Sequence, residues 1–140
     1  MRGLPLLIRL AHAEADERRI ELGRIAAAHA AAQAAVAAHV RQAAAEADLA
    51  ATGPEALAAY AAWVRPDAQR RVALDSRRAQ LERTEEAART ALREAVVDFK
   101  RLETVQQNAE AAAKRATDRR TAVRADEAQI LRKLQLERLA

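Results

Sequence analysis

Apolar residues return every seven positions over 67–140, at Leu74, Leu81, Ala88, Ala95, Leu102, Ala109, Ala116, Val123 and Ile130. A second row lies four positions behind the first, at Leu92, Phe99, Ala113 and Leu134. Two rows that alternate by three and four residues form the seam of a coiled coil. Polar residues interrupt this seam at Arg78, Glu85, Gln106, Arg120 and Glu127. The preceding part of the chain holds a poorer frame of Ile8, Ala11, Ala15, Leu22, Ile25, Ala32, Val36 and Ala43, with His29 and His39 in it. Opposite charges four residues apart support both helices, at Glu14–Arg18, Glu85–Arg89 and Glu110–Lys114.

Helix-breaking residues are few. Pro5 stands near the start, Gly53 and Pro54 interrupt the middle, and Pro66 follows. The pattern predicts a helical arm over 6–52, a break with a short helix over 53–66, and a second arm over 67–140. Gly53 suits a left-handed helix stop, and Pro54 the first turn of a new helix. Pro66 and Asp67 repeat the start signal. The short segment EALAAYAAWV (55–64) puts Leu57, Tyr60, Ala61 and Val64 on one face with Trp63 beside them. At 1.5 Å per residue the first arm spans about 70 Å and the second about 110 Å. The simplest fold is all-α, a long two-helix antiparallel coiled-coil hairpin with a short helix near the bend, forming one domain over 1–140. The longer arm then protrudes beyond the shorter.

Composition narrows the architecture further. Of 140 residues, 40 are alanine and only 31 are large apolar residues. Alanine buries little area, so a thick globular core is out of reach and a thin one must be repeated along a seam. A β-sandwich and an α/β enzyme are excluded on the same grounds. Cysteine is absent, which excludes disulfides and thiolate chemistry. The opening MRGLPLLIRLAHA has an apolar run that Arg9 cuts short of a secretory core. With no apolar stretch long enough to span a bilayer, a cytoplasmic location is the expectation.

Charge is distributed unevenly. Residues 1–70 hold eight basic and eight acidic side chains, and residues 71–140 hold sixteen and twelve, so the net +4 belongs to the second half. Lys114, Arg115, Arg119, Arg120 and Arg124 cluster around a single acid, Asp118. Three readings fit: a solvated helix face, a docking strip for an acidic surface, or a nucleic-acid contact. The third lacks aromatic residues for stacking. Tyr60 and Trp63 either close the end of the hairpin core or form an aromatic anchor for a partner. His12, His29 and His39 lack the spacing of a helical metal pair. Ser76 is the one serine and has no neighbouring histidine, and no glycine-rich phosphate loop exists. Nothing in the sequence calls for an enzyme, a cofactor, a metal or a small-molecule substrate.

The stretch AYAAWVRPDAQRRVALDSRRAQLERTEEAARTALREAVVDFKRLETVQQNAEAAAKR (59–115) resembles FliJ, a flagellar type III export protein. Its most specific part is LREAVVDFKRLETV (92–105), where Lys100 is followed by Leu102 and Glu103. LLIRLAHAEADERRIELG (6–23) resembles a FliJ start, and DEAQI (126–130) its tail. The resemblance implies a cytoplasmic two-helix antiparallel coiled coil, similar to the central stalk of rotary ATPases. It implies that the open end of the hairpin sits in the pore of a hexameric export ATPase, which puts Lys114, Arg115, Arg119, Arg120 and Arg124 near that partner. It also implies that the region by the bend, with Tyr60, Trp63 and Val64, meets the export gate. Pro66, Asp67 and Arg70 depart from the family's uninterrupted apolar helix. Export chaperones are further partners of such a protein, and its membrane association is peripheral, through the export complex. A structural or nucleic-acid-associated basic coiled coil is the alternative that the residues leave open.

Overall fold

The computed structural model describes residues 2–140. It contains two α-helices, α1 over Leu4–Ala50 and α2 over Pro54–Leu139. They pack along one seam as an antiparallel hairpin. Contacts between the arms run in opposite orders: His39 meets Asp67, His29 meets Glu85, and His12 meets Phe99. The all-α hairpin expected from the heptads is therefore the fold.

The seam of α1 is regular. Its buried and half-buried residues are Leu4, Ile8, Ala11, Ala15, Leu22, Ile25, His29, Ala32, Val36, His39, Ala43, Glu46 and Ala50. These steps alternate by three and four, with only Arg18 exposed in the row. On α2 the covered row continues through Leu81, Glu85, Ala88, Leu92, Ala95, Phe99, Leu102, Gln106 and Ala109. Among the described residues no large side chain is completely enclosed, and the most covered residue is the small Ala15. Two helices shield each other on one side only, so even the seam leucines keep an edge in water.

The bend differs from expectation in two respects. Gly53 is not left-handed: its φ of 168° and ψ of 173° are extended backbone. The helix stop is supplied by Thr52 instead. The Leu49 carbonyl accepts both the Thr52 N–H at 3.0 Å and the Thr52 Oγ1–H at 2.7 Å. This tightened last turn satisfies a carbonyl that would otherwise lack a partner. The Gly53 carbonyl then accepts from the Leu57 N–H at 3.0 Å and opens α2.

The second difference is Pro66. The short helix expected over 53–66 is not a separate element, because α2 runs unbroken from Pro54 through Pro66 to Leu139. The ring removes one backbone bond, to the Ala62 carbonyl, at a cost of about 3 kcal/mol in a helix interior. Seam residues on both sides hold the helix together across it: Tyr60 and Trp63 before, Asp67 and Leu74 after. The covered positions step 63, 67, 71, 74 here, one extra step of four, which locally unwinds a heptad coil.

Charged pairs within each helix are local, and their arginines are exposed. Glu14–Arg18 and Glu85–Arg89 form as expected, at 3.7 and 2.5 Å. Glu110–Lys114 does not close to within 4.0 Å among the described residues. Arg24 holds the Glu21 carboxyl below its usual range through a 2.6 Å hydrogen bond. The arms differ in length, 47 residues against 86. With His12 level with Phe99, Leu4 comes level with about residue 107, and α2 continues alone for some 30 residues, roughly 45 Å.

Candidate interaction surfaces

Three parts of the hairpin carry chemistry beyond simple packing: the polar layers of the seam, the aromatic group near the bend, and the free arm of α2.

Two layers of the seam are polar on both helices. His39 Nε2 lies 2.5 Å from Asp67 Oδ1, and both residues are buried. A carboxylate only accepts, so Nε2 donates. His39 Nδ1 is buried with no hydrogen-bond partner among the described residues. In the second layer His29 Nδ1 bonds to Glu85 Oε2, while Arg89 donates to Glu85 Oε1 at 2.5 Å. Gln33 and Glu82 line the same shallow groove. His12 lies at the seam's edge, with its ring 5.2 Å from Phe99 in a T-shaped arrangement and Nδ1 3.3 Å from Asp16. The sequence marked His29, His39, Glu85 and Asp67 as polar intruders on separate arms. It did not pair them. The available signal was that histidines interrupt the frame of one arm and carboxylates are among the residues that interrupt the other.

Tyr60 and Trp63 occupy consecutive seam positions in the first turns of α2. Their ring centroids are 5.9 Å apart, and the Arg70 guanidinium lies 5.9 Å from the Trp63 ring. Both residues are half-buried. Val64 is 40% exposed and Leu57 56%. The bend therefore presents a small apolar surface bordered by a cation.

All five residues of the basic cluster lie on the free arm and are exposed. None makes an ion pair within 4.0 Å among the described residues. They do not form a strip. At about 100° per residue, Lys114, Arg115, Arg119, Arg120 and Arg124 spread around the whole circumference of the helix. The structure thus corrects the docking strip to a belt of positive charge. The free arm as a whole, 110–140, carries eight basic and five acidic side chains. Among the described residues no helix is long and apolar enough to cross a membrane, and no group of three or more potential metal ligands gathers.

No family model, no curated protein and no solved structure matches this chain.

Proposed function

We propose that the chain is a non-enzymatic coiled-coil stalk of the flagellar type III protein export apparatus. It binds the hexameric export ATPase and the export gate, and helps couple ATP hydrolysis to export. One observation carries the reading: the open end of the hairpin continues as a lone helix encircled by unpaired positive charge. A helix that shows charge on every side suits a partner that surrounds it, whereas a one-sided groove needs a one-sided stripe. The similarity of 92–105 and of the chain's opening to FliJ points to the same kind of partner.

In this reading Lys114, Arg115, Arg119, Arg120 and Arg124 steer the free arm into an acidic or polar collar of the ATPase. Exposed charges accelerate docking more than they strengthen the docked state. Tyr60, Trp63 and Val64, at the opposite end, contact the export gate. Export chaperones are further partners. The protein then works in the cytoplasm at the inner membrane, held there peripherally by the export complex.

The test is binding of the full chain to the cognate hexameric ATPase. Arg119→Glu together with Arg124→Glu, on different sides of the belt, should slow association while the helical content stays unchanged. Wild-type affinity should fall with salt as the Debye length shrinks from about 10 Å at 0.1 M to about 3 Å at 1 M. Unchanged association by the double variant at low salt refutes the role of the belt. Tight wild-type binding to random duplex DNA, lost in the same variant, would identify a nucleic-acid-associated coiled coil instead.

A further inference from the structure

The seam does not stop where α1 stops. Beyond Ala109 the same two rows continue along the free arm as Ala113, Ala116, Arg120, Val123, Glu127, Ile130 and Leu134. Val123, Ile130 and Leu134 are all more than half exposed, although they sit in the frame that α1 covers lower down. The free arm is therefore half of a coiled coil. Its missing partner must bury small and aliphatic residues and must also answer two charged seam positions of opposite sign, Arg120 and Glu127.

We propose that this partner is the free arm of a second copy, running antiparallel, in a two-fold symmetric dimer. Three features select this occupant. The first is continuity, because the apolar row of an interface that already exists within the chain simply extends. The second is charge. A parallel pairing of two copies stacks Arg120 on Arg120 and Glu127 on Glu127. An antiparallel pairing with its axis near Val123 brings each Arg120 within reach of Glu127 of the other copy, twice by symmetry. The hairpin treats its own polar seam positions in this way, setting His29 against Glu85 and His39 against Asp67.

The third feature is length. With the axis near residue 123, residue 139 of one copy comes level with about residue 107 of the other, where α1 begins. Over the described residues the two free arms overlap and neither collides with a hairpin. This alignment also brings the exposed Leu136 and Leu139 of one copy toward the exposed Leu6, Leu7 and Leu10 of the other. Within one chain those two leucine groups are separated by roughly 45 Å of rigid helix and cannot meet. The proposal stands independently of any ATPase. Its consequence is that self-association and an encircling partner compete for the same arm.

Sedimentation of the full chain should show a concentration-dependent shift from one chain to two. Arg120→Glu puts like charges together at both symmetric contacts and should weaken the dimer at least about tenfold. Adding Glu127→Arg to it should restore wild-type association. Neither change touches the packed hairpin, so helical content and melting of that part report folding separately. The chain has no cysteine, so Gln135→Cys gives a single spin-label position. Labels in an antiparallel dimer should lie about 40 Å apart, against about 15 Å in a parallel one. A one-chain mass persisting at about 100 μM, a hundredfold above a micromolar Kd, overturns the proposal. So does the short label distance, or an Arg120→Glu dimer as tight as wild type.

Discussion

Removing one member of the His39–Asp67 layer should cost more than removing both. The two side chains are buried, 8% exposed each, and joined by a 2.5 Å hydrogen bond. His39→Leu leaves a buried carboxylate whose nearest remaining cation is Arg70 at 3.8 Å. Breaking a buried charged pair costs about 3–5 kcal/mol when nothing compensates. Arg70 compensates in part, which brings the expectation to about 2–3 kcal/mol. Asp67→Leu leaves an imidazole with neither nitrogen bonded, since Nδ1 already lacks a partner, and should cost about 1–2 kcal/mol. The double variant replaces the layer by two leucines in an aliphatic seam and should fall within about 1 kcal/mol of wild type, or above it. The coupling between the two sites is then at least about 2 kcal/mol.

Urea and thermal unfolding followed by far-ultraviolet circular dichroism measure all four corners of this cycle. For a domain of this size each kcal/mol moves Tm by roughly 4 °C, so His39→Leu should melt about 8–12 °C below wild type. A double variant as unstable as the sum of the singles would refute the reasoning, because it would mean that the two residues do not meet. Two neutral single variants would show that the layer is solvated and that the register of the hairpin lies elsewhere.

Gly23 lies inside α1 with open space on its outer side, nothing standing within 4 Å of where a methyl group would go, so Gly23→Ala should stabilise by about 0.5–1 kcal/mol, read as a higher urea midpoint at unchanged slope. Pro66→Ala should restore the bond to the Ala62 carbonyl and stabilise by up to about 3 kcal/mol; no gain in midpoint would mean that α2 is broken there in solution. Leu102→Ala should cost about 1–2 kcal/mol in the same unfolding assay, below the 2–5 kcal/mol of a fully enclosed leucine, because Leu102 keeps an edge in water.

The heptads made the fold legible because they report burial directly. Both arms and the frame of α1, including its two histidines, could be read from spacing. Pro66 misled because local preference was weighed without packing: the ring costs one hydrogen bond, while Trp63, Asp67 and Leu74 gain partners only if the helix continues. Gly53 misled in a similar way, since the turn it was expected to close is closed by the Thr52 hydroxyl. The basic cluster was legible as a cluster and illegible as a shape. Neighbours in sequence are rotated by about 100° on a helix, so a dense run encircles the helix. Tyr60 and Trp63 lie near the bend and are half-buried, as residues that close the end of the seam are.

The polar layers also bear on how far the free arm of α2 projects beyond α1. Seam alanines such as Ala11, Ala15, Ala32 and Ala43 specify register weakly, because each gains or loses little buried area when one helix slips along the other. Such a slip moves one helix by about 10 Å along the other and lengthens or shortens the free arm by as much. The three-residue turn resists slipping only at the bend, and fraying a turn of helix beside it relieves that resistance. His39 and His29 lie progressively farther from the bend, each against a carboxylate. Slipping by one heptad sets Glu85 beside Leu22 or Val36 and Asp67 beside Ala32 or Glu46, and a single uncompensated buried charge costs about 3–5 kcal/mol. That penalty exceeds what a few exchanged alanines contribute, at about 0.8 kcal/mol per buried methylene-sized group. The residues that weaken the heptad pattern are therefore the ones that fix how far the arm projects.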